Sequence, residues 1–325
     1  MAEAEKARRE KNYDIERVAF SRAMNLARST RDRREARYRR AHTWLRQGKN
    51  EKGALALESL GALTPAHHRS ARAWLDAARA REKSMELELA LSNYTRVVRM
   101  YPESGLAEGA AQRIVLLQGR LLSVEPHIAW RQLVEENKSP LLGEALRFFY
   151  GKSLEPISVK HAILTYEALA IAHPLPKGRY TDEALLRAAR LRREHADPEG
   201  ALATLTVLTA QDESAAIVGS YNRPAYVQAL LLSGIILRDD LGQPERARTP
   251  LADLVKRYPH SRLVDEALWA MALTHQKDSA GTCANLTQLK KQSPHSKYNR
   301  CSGLLCKTFP PVEERYRSTC EGELK

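Results

Sequence analysis

Apolar positions along this chain recur at intervals of four and three, the spacing that lines one face of a helix. They come in blocks, and most blocks end at a proline. Counting back from Pro102, the residues twelve, eight and five places earlier are Ala90, Tyr94 and Val97. The same places before Pro174 hold Ala162, Tyr166 and Leu169, and before Pro259 they hold Ala247, Leu251 and Leu254. Before Pro65 they are Gly53, Leu57 and Leu60, and before Pro294 they are Thr282, Leu286 and Leu289. A small residue admits a neighbouring helix, two large ones fill the space beside it, and the proline ends the helix. A Ser or Asp just beyond the break can cap the next helix.

Weaker copies extend the pattern. The segment from Glu199 supplies Ala201, Leu205 and Leu208, with Glu213 where a proline is expected. The segment from Glu10 supplies Tyr13, Phe20 and Ala23 and breaks near Thr30, and a further weak unit ends at Pro140. The block length is mostly in the mid-to-high thirties. The wide interval between Pro174 and Pro259 holds the proline-less unit and a linker, TAQDESAAIVGSYNRPAY from Thr209. Its Gly219-Ser220 and Asn222-Arg223-Pro224 predict a division near residue 218. This gives an N-terminal segment over 1–218, a second over 219–306 and a tail over 307–325, polar after Pro310-Pro311 and held by Cys320.

Two hinges read almost alike: VVRMYPESGLAEGAAQRI from Val97 and LVKRYPHSRLVDEALWAM from Leu254. A third, LKKQSPHSKYNRCSGLL, begins at Leu289. This pattern resembles the tetratricopeptide repeat (TPR), an antiparallel helix pair of about 34 residues. The Tyr-Pro-x-Ser hinge and the starts TDEALLRA at Thr181 and LVDEALWA at Leu263 resemble one subgroup. That subgroup comprises the repeats of bacterial envelope proteins such as the outer-membrane assembly lipoprotein BamD and the periplasmic cell-division coordinator CpoB. The Trp and Gly-x-x-Tyr of the family's first helix are mostly missing here. The resemblance implies an all-α fold, a right-handed superhelical solenoid of roughly seven helix pairs with a concave groove for a protein partner. Stacking is what lets each pair bury its apolar face.

The four cysteines, Cys283, Cys301, Cys306 and Cys320, all fall near the C-terminus. Three readings stand: two disulfides, a zinc site, or buried thiols. Zinc sites favour close Cys-x-x-Cys pairs, and none occurs. Adjacent helices pack within disulfide reach, so the expected bridges are Cys283–Cys301 and Cys306–Cys320. They would staple the end of a solenoid, which lacks a neighbour.

The chain of 325 residues carries a net charge of +13, much of it in an arginine-rich stretch, RDRREARYRR from Arg31. On a helix Arg33, Arg37 and Arg40 share a face. This is either a solvated basic face or a docking patch for an acidic partner, anionic lipid headgroups or nucleic acid. Stacking aromatics that would mark a nucleic-acid surface are sparse. Groove contacts are expected from the first helices of successive pairs, with Arg72, Arg113, Arg147 and Arg187 as candidates.

Catalytic and cofactor motifs do not appear. There is no Gly-x-Ser-x-Gly and no phosphate-cradling glycine loop. The lone histidines (His42, His127, His161, His195, His275) read as packing or surface residues, and His67-His68 as a helix entry. No metal and no cofactor is expected. The apolar run ALLLSGIIL from Ala229 is too short to span a bilayer and reads as a buried helix. No signal peptide is read at the N-terminus, so outer-membrane association would rest on a lipid anchor on a leader absent from this chain. The expectation is therefore a periplasmic, non-enzymatic adaptor in an envelope assembly. The alternatives are a cytoplasmic basic solenoid binding nucleic acid or acidic partners, and an enzyme without a legible active site.

Overall fold

A computed structural model describes residues 2–210 and 224–324, and every regular element among them is helical. The described residues form two compact units, 1–154 and 155–325. The linker expected near residue 218 lies outside the described residues.

The first unit runs α1 (Ala2–Arg9), α2 (Tyr13–Leu26), α3 (Thr30–Arg46), α4 (Asn50–Gly61), α5 (Ser70–Lys83), α6 (Leu87–Met100), α7 (Ala107–Leu122), α8 (Pro126–Glu136) and α9 (Pro140–Leu154). The second runs α10 (Val159–Ala172), α11 (Thr181–Glu194), α12 (Pro198–Thr209), α13 (Pro224–Ile235), α14 (Pro244–Arg257), α15 (Val264–Leu273) and α16 (Ala280–Gln292). A 3-10 helix (Lys297–Leu304) and α17 (Glu314–Gly322) close it. Within each unit consecutive helices pack on one another, and first helices also touch across pairs, as α7 with α9 and α11 with α13. This is a TPR-like solenoid arrangement of helix pairs.

The small–large–large pattern falls on the second helix of each pair, and it is the core. Ala90, Ala162, Ala201 and Ala247 are fully buried, as are Leu57, Tyr166, Leu205, Leu251 and Leu286 at the next place. Gly53 marks the tightest approach: a Cβ there would overlap the Leu45 side chain on α3. Pro140 behaves differently from the other prolines. It opens α9 at a position where a missing N–H costs nothing, and α8 has already ended at Glu136.

The turn inside each pair is a second repeated device. Lys11, Gly48, Met85, Ser123, Ala196, Gly242 and Asp278 all adopt positive φ, each between a first and a second helix. At four of these turns an N–H reaches back five residues: Asn12 to Ala7, Lys49 to Trp44, Glu86 to Arg81 and Asp197 to Arg192. This closes the helix end with its last carbonyls satisfied. Side chains of Asn12, Ser29, Asp197 and Ser279 cap helices α2, α3, α12 and α16.

All four cysteines are bonded, but in the other pairing: Cys283 with Cys306 and Cys301 with Cys320, Cα atoms 5.5 and 5.2 Å apart. The expected Cys283–Cys301 and Cys306–Cys320 bridges fail for a topological reason. After Pro294 the 3-10 helix turns Cys301 inward, toward α17. The chain then returns to the start of α16, where the Asp278 N–H donates to the Leu305 carbonyl at 2.9 Å and the Lys307 N–H donates to the Asp278 carboxylate at 2.8 Å. That return sets Cys306 beside Cys283. It passes so close at Gly303 that a Cβ there would strike the Pro310 carbonyl. Trp269 stacks on Tyr298 at 5.1 Å and donates its indole N–H to the Glu323 carbonyl at 2.9 Å, pinning the tail.

Candidate functional site

Helix α3 has two polar faces. Glu35, Arg39, His42 and Arg46 lie on one by helical spacing, and Arg33, Arg37 and Arg40 on the opposite one. The first face borders the first two of a run of three depressions in the first unit, of about 430, 400 and 550 Å³. The first two share His42 and Arg46, and the second and third share Arg79 and Lys83. Sharing these walls, they adjoin as one trough past α3, α5 and α7.

Its walls are ion pairs formed between helices. Glu16 is fully buried and takes Arg46. Its other carboxylate oxygen is buried without a protein partner among the described residues. Glu35 accepts from Arg69 at 2.6 Å and from Arg39 at 2.9 Å. The Arg69 hydrogen bond, working against partial burial, lowers the Glu35 carboxyl to about 2. Asp76, nearly buried, accepts from Tyr38 at 2.6 Å and from Arg72 at 3.2 Å, with His42 Nε2 at 3.1 Å. Burial alone would raise the Asp76 carboxyl, but bonds from His42 and Tyr38 and the Arg72 charge outweigh it and hold it below its ordinary range. Burial, reinforced by Asp76, pushes the Tyr38 phenol well up.

One trio recurs in each unit. The Tyr94 hydroxyl donates to Glu82 at 3.0 Å, and Glu82 also pairs with Arg113 on α7. In the second unit the Tyr166 hydroxyl donates to Glu155, which takes Arg187 at 3.0 Å. The tyrosine is the large residue of the hinge pattern, so the core position itself carries the clamp. A second clamp also repeats. Arg81 bridges Glu58 and Glu86, and Arg192 bridges Glu167 and Asp197. Each ties a first helix to the second helices on both sides.

The expected groove arginines thus separate. Arg113 lines the trough, and Arg72 sits in the Asp76 network beside it. Arg187 belongs to the trio of the second unit, and Arg147 lies on α9. Arg33, Arg37 and Arg40 face away from the trough. His42, Arg46, Arg79, Lys83, Glu16, Glu35 and Asp76 were not anticipated as site residues. For all but Glu16, which lies on α2, the signal was the i, i+4, i+7 spacing of polar residues along one face of α3 and one face of α5. The His67-His68 pair does stand at a helix entry: the Ser70 hydroxyl accepts the His67 N–H at 3.0 Å at the start of α5.

The tetratricopeptide repeat family model TPR_6 matches residues 228–261, which cover most of α13, all of α14 and the Tyr258-Pro259-His260-Ser261 hinge. No curated protein matches the chain. Similar solved structures include YrrB, described as a TPR protein with an unusual peptide-binding site, at 16% identity over 61% of this chain and 91% of that one, TM-score 0.37. Pseudomonas aeruginosa pilF is similar at 16% identity over 72% and 95%, TM-score 0.38. The C-terminal part of a TPR repeat-containing protein from Cytophaga hutchinsonii is similar at 13% identity over 82% and 98%, TM-score 0.43.

Proposed function

We propose that this protein is a non-enzymatic scaffold that holds an extended segment of a protein partner in the trough of its first unit. The observation that carries this reading is the row of adjoining depressions along three first helices, with walls fixed by interhelical ion pairs. Fixed walls recognise without reorganising, which favours binding of a segment in one register. Lys83 and Arg79 are exposed at the point where two depressions meet, so the segment carries carboxylates there. We place the scaffold in a bacterial cell-envelope assembly: outer-membrane biogenesis, cell-wall remodelling, or a motility or secretion machine. The hinge resemblance to BamD- and CpoB-type repeats supports that setting, and two disulfides suit an oxidising compartment. No helix among the described residues is long and apolar enough to cross a membrane.

The test is site-specific photo-cross-linking in the native cells. A photoreactive residue at Lys83 or Gly109 should trap a defined segment of one protein, and the same residue at exposed Leu89 on α6 should not. Equal trapping from all three positions, or none from the trough, would remove the proposal.

A further inference from the structure

The opposite face of α3 differs from the trough in one respect: its cations have no counter-charge. Arg40 donates to the Ser21 hydroxyl on α2 at 3.3 Å, and Arg37 to the Ser59 hydroxyl on α4 at 3.1 Å. Arg33 reaches only the Ala27 carbonyl, at 3.4 Å. None of the three has a carboxylate within ion-pair reach among the described residues, whereas Arg39, Arg46, Arg69 and Arg72 on the trough side all do. Helix α3 thus presents a row of guanidiniums without a carboxylate in ion-pair reach, braced by α2 and α4; Asp14, which borders the same depression as Arg40, is taken by Arg17. Burial, and after it the charge of Arg40, disfavours the charged form of Arg37. A row of like charges costs stability until an anion relieves it.

Exposed aliphatic side chains flank the row. Val18 is 51% exposed and borders the same 590 Å³ depression as Arg40. Leu55 is 63% exposed and shares a face of α4 with Ser59 and Lys52. Between them the Trp44 ring is covered by Arg17 at 3.8 Å and approached by Lys52 at 5.4 Å. A nucleic acid would want a bare aromatic face for stacking, and this one is taken. Aliphatic groups set among cations match the boundary where anionic headgroups meet acyl chains.

We infer that the outer face of α2, α3 and α4 docks on an anionic membrane surface, with Arg33, Arg37, Arg40 and Lys52 meeting lipid phosphates and Val18 and Leu55 dipping between the headgroups.

The test is sedimentation of the full chain with vesicles of phosphatidylcholine, with and without phosphatidylglycerol. Wild type should bind the mixed vesicles, lose them as salt is raised, and ignore phosphatidylcholine alone. Arg33→Gln with Lys52→Gln, both at exposed positions, should cut partitioning by about 25-fold, since each cation near such a surface contributes roughly fivefold. Val18→Ser with Leu55→Ser should also weaken it, which attraction to an acidic protein or nucleic acid would not require. The inference is overturned if wild type ignores phosphatidylglycerol vesicles at low salt while binding DNA or polyglutamate. It is equally overturned if both double variants, folded by circular dichroism, bind vesicles like wild type.

Discussion

The first helices of unit 1 and the last helices of unit 2 are held by closures of different chemistry. At the N-terminal end the helices are joined by charge: Glu16 with Arg46, Glu35 with Arg39 and Arg69, and Arg17 over Trp44. At the C-terminal end two interlaced disulfides and a Trp269–Tyr298 stack do the same work. The comparison teaches that the two closures respond to different solvents: one to pH and salt, the other to thiols.

Breaking the covalent closure should have the largest effect. Dithiothreitol, or Cys301→Ser with Cys306→Ser, should cost the second unit about 3 kcal/mol per bridge. Hydrogen exchange should rise over α16, the 3-10 helix and α17 while α1 to α7 stay protected.

Breaking the ionic closure comes next. Arg46→Leu leaves the fully buried Glu16 carboxylate uncompensated, and removing one partner of a buried pair costs about 3–5 kcal/mol. Denaturant unfolding should show the loss, and replacing Glu16 by Leu as well should recover most of it.

Acid sharpens the comparison further. Glu35 has a folded-state value of about 2, below its ordinary 4.5. Its contribution is therefore complete above about pH 4.5 and is lost as pH falls toward 2, about 1–2 kcal/mol once solvent screening at this partly open site is counted. Glu35→Gln should flatten that part of the stability–pH curve, and reduction of the disulfides should not.

The smallest effect is expected at the turns common to both units. Met85 and Ala196 hold positive φ, a region that penalises any side chain. Met85→Gly and Ala196→Gly should each stabilise by about 1 kcal/mol in thermal unfolding, one in each unit.

The hinge pattern was legible because burial at its three places is nearly total, so each tolerates few residue types. The turns inside the pairs were not. Only Gly48 and Gly242, and more weakly Asp278, announce a left-handed residue, and Lys11, Met85, Ser123 and Ala196 give no such sign. Disulfide pairing was hidden because it depends on the path of a 3-10 helix and its return, which hydrophobic spacing does not encode. The arginines were visible in the sequence, but their roles were not. Whether an arginine is paired depends on carboxylates far off in sequence, as with Glu35 for Arg69 and Glu155 for Arg187.

The most direct measurement is titration calorimetry of the segment trapped at Lys83, made as a synthetic peptide, against wild-type protein and Lys83→Glu. Lys83 is exposed and borders two of the three depressions, so the reversal should leave the fold intact. A segment seated in the trough predicts affinity reduced about tenfold or more by like-charge repulsion, with Leu89→Glu unchanged. Equal affinity for wild type and Lys83→Glu would contradict the trough as the binding site.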